Sequence, residues 1–372
     1  MNLFKSTEFN KTKDRLEELI EKKLINRRKH PEHDLWIYAY SKTCQLGQKW
    51  EHWTEMCRGL ILDAEGNVIA RPFAKFFNWD EGLNRGLLHK KAIVGFEKMD
   101  GSLGIVYYPP NATGPNDVCV STKGSFDSEQ AIWATNFIRQ MPQHLLDELW
   151  EVDKTYTVLF EIIYPESQIV VNYGQRQDLV MLGMAQKDNG AFIPSYPGVL
   201  DGFSRPRFLT NISPADVFDH LKADNEEGYV LLYEGNLLVK VKFDEYVLLH
   251  RMVTKYSKRQ VVEKLMQDWH WKPDSKIPNY KIVEIDRNDI VNGVQKHLDI
   301  VYNFVFEFVS SDKCKNKKNF AEHVTRNFKS KEYKFISFLI FDNWDNDPIK
   351  VSRQHILKNI LNNRVTVNES VD

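Results

Sequence analysis

The chain has 372 residues, 42% hydrophobic, 27% charged and 12% aromatic, with 50 Lys+Arg against 51 Asp+Glu for a formal charge of -1. That length suits two packed domains, and the charge balance excludes a uniformly polycationic binder while leaving local patches open. No apolar run reaches the roughly 18 residues of a membrane span, and the first residues, MNLFKSTEFNKTKDRLEELIEKK, lack the apolar heart of a signal peptide. Cys44, Cys57, Cys119 and Cys314 are scattered and form no CxxC pair, so neither a disulfide framework nor a zinc site is expected, and the default compartment is the cytoplasm.

In chain order, the first periodic segment covers about residues 11–26, where Leu16, Leu19, Ile20 and Leu24 recur at the spacings of an amphipathic helix. From about residue 35 to 245 short β-rich runs take over: CRGLILD, KAIVGFEK, GSLGIVYY, DVCVSTK, YTVLFEIIY, QIVVNY, LVMLGMA, GYVLLYEG and LLVKVKF. Turn strings such as AEGN, PPNATGPND and YEGN separate several of them. One helix interrupts the series, capped near Asp127 or Ser128 and ending before Pro142. Many runs are too close together for parallel crossovers, so an α+β pattern of antiparallel sheets is expected. After about residue 250 helical stripes dominate: Val261, Val262, Leu265, Met266 and Trp269; Leu298, Val301, Val305 and Phe308; Phe320, Val324 and Phe328. WKPDSKIPNYK, with two prolines in a polar stretch, reads as a connector.

Chemistry concentrates in charged residues set inside apolar strings. Lys98-Met99-Asp100-Gly101-Ser102 follows AIVGFE; Arg58 precedes GLILD; Lys75 sits in RPFAKFFNW and Lys123 in VSTKGS. Glu161 lies in VLFEIIY, Glu227-Gly228 in EEGYVLLY, and Lys240 and Lys242 in LVKVKF. Charges in β-rich cores are costly unless paired or used. Each taken singly also fits a plainer reading: a surface turn for the lysine string, a solvated sheet face for Lys240 and Lys242, a local ion pair for each carboxylate.

Together the strings resemble the covalent nucleotidyltransferase superfamily of polynucleotide ligases and capping enzymes, and within it the bacteriophage T4 RNA ligase 1 family. The resemblance runs through CRG at 57–59, RPFAKFFN at 71–78, KxDGS at 98–102, STKGS at 121–125, SEQA at 128–131, FE at 160–161, EGYV at 227–230, KVK at 240–242 and YVLLH at 246–250. It implies an ATP-grasp-like adenylyltransferase domain of mixed antiparallel sheets over residues 1–250 and an all-helical RNA-specificity domain over residues 251–372. It also implies that Lys98 attacks the α-phosphate of ATP to give lysyl-AMP, that AMP passes to an RNA 5′-phosphate, and that an RNA 3′-hydroxyl then displaces AMP.

The same resemblance distributes roles. Lys240 and Lys242 would neutralise the α-phosphate, and their i, i+2 spacing puts both on one strand face. Glu161 would contact the ribose, Glu227 would bind or position a metal near the phosphates, and Asp100 would support the steps on 5′-phosphorylated RNA or metal organisation near the nucleophile. Arg58 and Lys75 would engage phosphates, Lys123 would assist adenylylation, and Phe77 would stack or pack near adenine. Tyr38 matches the nucleotide-contacting tyrosine better than Tyr40, although the spacing to Arg58 departs through QLGQKWEHW. Gly101, Gly228 and Tyr246 complete the matched positions, and Asp274 is a further candidate for a metal contact. ATP is the expected co-substrate, with Mg²⁺ or Mn²⁺ as the ion, and a nick-sealing DNA ligase, a capping guanylyltransferase and an inactive RNA-binding relative are the competing readings.

Residues 312–334 carry eight Lys/Arg and three Asp/Glu, a local excess suited to phosphate contacts or to a solvated helical face. The expected partner is single-stranded or loop-nicked RNA, such as a cleaved tRNA anticodon loop, bound by a monomer with no membrane association.

Overall fold

The structure, a computed structural model, describes residues 7–220, 225–254, 258–273, 280–311, 317–344 and 346–361. The chain divides into two units, Met1–Val247 and Leu248–Asp372. As the sequence pattern implies, antiparallel sheets build the first and helices build the second.

The first helix, Thr7–Glu21, ends earlier than the apolar periodicity predicts. Lys23 enters the left-handed region at φ 58°, and the Leu24 amide reaches back to the Leu19 carbonyl at 2.8 Å. This closes the helix and starts a strand, Ile25–Lys29, that the sequence did not announce. That strand begins a four-stranded antiparallel meander with Leu35–Tyr40, Arg58–Asp63 and Val68–Ala70.

Two five-stranded sheets follow. One runs in spatial order Phe192–Pro194, Asp178–Gln186, Tyr156–Ile163, Ser102–Tyr107, Cys119–Ser121, all antiparallel. The other runs Phe208–Thr210, Val94–Glu97, Gly228–Tyr233, Leu237–Lys242, Phe77–Asn78; its last pair is parallel. QIVVNY is not a strand but an irregular segment after Ile163. Its Val170 and Val171 amides donate to the Asp100 carboxylate, at 2.8 Å each, instead of to a neighbouring strand. The expected helix forms at Glu129–Ile138 with Ser128 as its cap. A second, Gln143–Asp153, starts straight after Pro142, which therefore separates two helices rather than a helix from a strand.

Alternation along the strands decides what each face carries. In Tyr156–Ile163, Val158, Phe160 and Ile162 pack with Ala134, Ile138, Leu145 and Leu149 of the two helices. Leu159 and Ile163 turn the other way, into a core shared by all three sheets, with Ile37, Ile61, Ile105, Phe96, Val230 and Leu238. Burying these rows supplies about 25 cal/mol for each Å² of apolar surface. The four-stranded meander has a separate core under the first helix, where Leu16 and Leu19 meet Tyr38, Leu60 and Leu62.

In the second unit the 30-residue helix Tyr280–Val309 buries Ile290, Val294, Leu298, Val301, Val305 and Phe308 at spacings of three and four. They pack with Val261, Val262 and Leu265 of Lys258–Gln267, Phe320 and Val324 of Lys317–Asn327, Ile336 and Ile340 of Lys331–Asp342, and Ile356 and Leu357 of Pro348–Leu361. No described helix is long and apolar enough to cross a membrane.

Candidate active site

The inner faces of three strands continue their apolar rows with charge. Val94 and Phe96 lead by the same two-residue step to Lys98; Leu159 leads to Glu161; Leu238 leads to Lys240 and Lys242. A different device supplies Arg58. The pairing of Leu35–Tyr40 with Arg58–Asp63 shifts register between Tyr38 and Ala39, because Gly59, at φ 105°, inserts one extra residue. Arg58 is thereby thrown off the face of Leu60 and onto the side of the shared core. A side chain at that bulge would be strained: φ is in the region that favours glycine, and a Cβ on Gly59 would crowd the Lys123 carbonyl oxygen at 3.2 Å.

Arg58, Lys98 and Glu161 line a cavity of about 280 Å³ together with Tyr40, Phe73, Phe76 and Lys123. Lys98 Nζ donates to Glu227 Oε2 at 2.7 Å, and Lys242 Nζ lies 2.7 Å from Glu227 Oε1. Glu227 is only 2% exposed. Burial alone would raise its pKa, but the two ammonium groups outweigh it and hold the carboxylate below its ordinary value. Burial likewise favours neutral Lys98, yet Glu227 and then Glu161 hold its amine above the usual lysine range. In this state the Lys98 amine holds its proton.

Glu161 behaves in the opposite way. Burial pushes it up to about 7, with Lys98 pulling against the shift. Its Oε1 accepts from the Gly101 amide at 3.0 Å, an approach open only to glycine, since a Cβ there would sit 2.4 Å from the Ile162 carbonyl oxygen. Gly228, at φ 138°, is equally constrained: a Cβ would meet the Val241 carbonyl oxygen at 2.1 Å. Its carbonyl accepts from the Lys98 amide at 2.8 Å and so ties the nucleophile to the neighbouring strand.

Asp100 is 3% exposed and satisfied by neutral donors. Besides the Val170 and Val171 amides, the Tyr246 hydroxyl donates to Oδ1 at 2.7 Å, and the Asp100 amide donates to the Tyr173 hydroxyl at 2.8 Å. Tyr246 lies in the helix Asp244–Thr254, with the Lys242 ammonium 5.0 Å from its ring centroid. This geometry suits Asp100 to fastening the nucleophile loop, with Tyr173 as an anchor that the sequence did not single out.

The remaining cations mark out an anion site. Arg58 stacks 4.6 Å and 4.9 Å from the Phe73 and Phe76 ring centroids, and its buried Nε and Nη1 atoms have no hydrogen-bond partner. Such orphaned donors await an acceptor. Lys240 is lowered to about 7 by burial and by the surrounding Lys75, Lys242, Arg58 and Lys98 charges. Burial also lowers Lys75, whose Nζ sits 3.9 Å from the Phe77 ring centroid and donates to the Phe76 carbonyl at 2.9 Å. Lys123 lies over Tyr40 at 4.2 Å.

Two aromatic assignments shift. Tyr38 is buried beneath the first helix beside Arg27, where alternation along its strand directs it. Tyr40, the last residue of that strand, lines the cavity instead. Phe77 does not line this cavity; Phe73 and Phe76 do, and Phe77 borders an adjoining groove. All three phenylalanines sit within RPFAKFFN, so composition located the wall and could not divide it. Asp274 lies outside the described residues.

Among the described residues no group of three His, Cys, Asp or Glu side chains is placed to hold a metal. Both Glu227 oxygens face ammonium groups, so a Mg²⁺ ion taking its other ligands from nucleotide phosphates would have to displace one of those contacts to bind there.

A family model described as RNA ligase matches residues 56–280, from Met56, two residues before Arg58, through every charge of the site. The chain belongs to this RNA ligase family. The ligase is 23% identical over 354 residues to the RNA ligase of Rhodothermus phage RM378, covering 75% of this chain and 79% of that one. Among solved structures it resembles an archaeal ATP-dependent RNA ligase at 10% identity and a TM-score of 0.45, covering 95% of this chain and 96% of the other. It also resembles a Naegleria gruberi RNA ligase with pyrophosphate at 14% identity and a TM-score of 0.33, covering 45% and 54%.

Proposed function

We propose that the ligase joins RNA 5′-phosphate and 3′-hydroxyl ends through lysyl-AMP, with Lys98 as the nucleophile. The observation that carries this reading is the buried Lys98–Glu227–Lys242 cluster beside the cavity of Glu161 and Arg58. Lysine attacks as the free amine, so the proton that Lys98 Nζ directs at Glu227 Oε2 must leave before attack. The Nζ lone pair forms the bond to the α-phosphorus as the bond to pyrophosphate breaks. Lys240, Lys242 and Arg58 offset charge on the phosphate oxygens, fixed in place before the reaction begins. Glu161 orients the nucleoside by accepting from a ribose hydroxyl, Lys123 and Tyr40 border it, and Lys75 extends the cationic row.

Mg²⁺ arriving with the triphosphate would be held at Glu227, with Mn²⁺ as a substitute, and supplies positive charge that favours neutral Lys98. Asp100, Gly101 and Gly228 fasten the nucleophile loop, and Tyr246 fastens Asp100. In the helical unit the exposed Lys317, Lys318, Arg326, Lys329 and Lys331 support contacts to RNA phosphates; residues 312–316 lie outside the described residues. A cleaved tRNA loop is the substrate we favour, handled by a monomer in the cytoplasm, that of the host if a phage encodes the chain.

Incubation with α-labelled ATP and Mg²⁺ tests the first step. Acid-labile AMP should appear on the wild-type protein and be absent from Lys98→Ala. Labelling by GTP alone, or AMP retained in the variant, would overturn the assignment. Adding RNA with a 5′-phosphate and a 3′-hydroxyl should then yield joined product.

A further inference from the structure

The cavity around Lys98 opens at Tyr40 onto a larger groove of about 1030 Å³, and Tyr40 lines both. The two differ in the cations they hold: Arg58, Lys98 and Lys123 belong to the cavity, Lys75, Lys240 and Arg85 to the groove. Much of the groove wall comes from QLGQKWEHW. Trp50 stands edge-to-face with Tyr40 at 5.1 Å and with Phe77 at 5.6 Å between centroids, and Lys75 Nζ lies 5.0 Å from its ring. Leu46, on the same lip, is 84% exposed. Of this aromatic wall only Tyr40 also borders the cavity; Trp50 and Phe77 line the groove alone.

The direction of displacement says what passes through the groove. Phosphoryl-type transfers place attacking and leaving groups roughly in line. When Lys98 attacks the α-phosphorus, pyrophosphate therefore departs on the side opposite Nζ. When lysyl-AMP is consumed, Lys98 is the leaving group, so the incoming phosphate must approach along the path pyrophosphate vacated. Lys75 and Lys240 lie on the groove and provide cations for both.

We propose that this groove seats the 5′-terminal nucleotide of the RNA strand, its phosphate at Lys75 and Lys240 and its base against the Trp50, Tyr40 and Phe77 wall. The proposal rests on the reading of the chain as a lysyl-AMP-forming ligase and adds where its second substrate lies. In the transfer, a 5′-phosphate oxygen forms the new bond to the α-phosphorus. The P–N bond breaks, its electron pair returns to Nζ, and the released amine takes a proton from water. Stacking on aromatic rings is tolerant of base identity and needs an unpaired base, which favours a single-stranded or splayed end over a continuous duplex. Trp50 thus acts in RNA binding and touches no reacting atom.

The test begins with wild-type protein carrying labelled AMP on Lys98; absence of that adduct fails the underlying reading, and the proposal with it. The adduct is mixed with two 5′-phosphorylated oligoribonucleotides that differ only in whether the first nucleotide bears a base or is abasic. Transfer to the base-bearing strand should show a kcat/KM higher by about tenfold or more. Trp50→Ala should bring the two strands to within about twofold of each other, and Trp50→Phe should keep most of the preference, because a ring remains for stacking. Equal rates on the two strands with wild-type protein would overturn the proposal without any variant. So would a Trp50→Ala protein that loses activity equally on both, since that pattern reports support of Lys75 or of the fold. The adduct's formation under either outcome separates failure of the groove assignment from failure of the ligase reading.

Discussion

The two units bury different kinds of side chain. In Met1–Val247, Asp100, Glu161 and Glu227 are buried within one region of the core, and Lys98, Arg58, Lys240 and Lys242 close around them. In Leu248–Asp372 the buried polar residues among those described are His297, Ser337, Ser352 and Asn359, none of which must carry charge. The His297 ring nitrogen Nδ1 meets the Tyr333 hydroxyl at 2.7 Å, and Ser337 bonds back to the Tyr333 carbonyl in its own helix. The helical core is built for packing alone. The sheet core carries ions whose desolvation opposes folding and whose interactions then serve the chemistry.

Removing one member of the ionic set should break this contrast most severely. Glu227→Ala leaves the half-buried Lys98 and Lys242 without their shared partner, so adenylylation with labelled ATP should fall at least about 100-fold. Urea unfolding should show a loss of about 1–3 kcal/mol, since both ammonium groups keep some contact with water. Retained stability would mean that the two lysines find other partners.

Phe320→Ala probes the other side. Phe320 is fully buried and stacks on Phe341 with centroids 4.1 Å apart, so truncation should cost about 3–5 kcal/mol in urea unfolding. Adenylylation of Lys98 should persist under native conditions, because every cavity residue lies in the other unit. Loss of adenylylation at full folding would dissolve the distinction.

The smallest effect, and the most diagnostic, concerns Glu161. Its folded pKa stands at about 7 against 4.5 for the free side chain, so the native state holds the proton more tightly than the unfolded chain. Its contribution to stability therefore declines as pH rises from about 4.5 to 7 and is flat beyond. Glu161→Gln, which cannot ionise, should melt higher than wild type by on the order of 2–4 °C at pH 8, and by less at pH 5. Its affinity for ATP should fall at both. A melting difference that does not grow between pH 5 and pH 8 would contradict the burial-driven shift.

The sequence disclosed much of this arrangement, and where it failed the cause is physical. LVKVKF alternates charge with apolar residues, so Lys240 and Lys242 could be assigned to one strand face before the fold was known, and Glu161 stood out as the single charge in VLFEIIY. The helical stripes of the second unit were legible for the same reason. QIVVNY misled because its apolar residues are buried, as in a strand, while its amides bind a side chain 70 residues earlier. Tyr38 and Tyr40 differ in whether the first helix covers them, which spacing alone does not encode. Trp50 and Tyr173 carried no motif signal: one sits in the segment that departs from the family spacing, and the other acts through its hydroxyl on a backbone amide.

Gly59 has a consequence for how this sheet can vary. The bulge makes the orientation of Arg58 depend on a count of residues. Deleting Gly59 would leave every functional side chain in the chain, yet restore simple alternation and turn the guanidinium toward the compartment beneath the first helix, away from the nucleotide. Substitutions elsewhere in Arg58–Asp63 alter chemistry or fit one position at a time, whereas a change of length here rotates the whole preceding segment by half a turn. Insertions and deletions in this strand are therefore expected to be all-or-none in effect, and a library that varies identity at fixed length explores a much safer space.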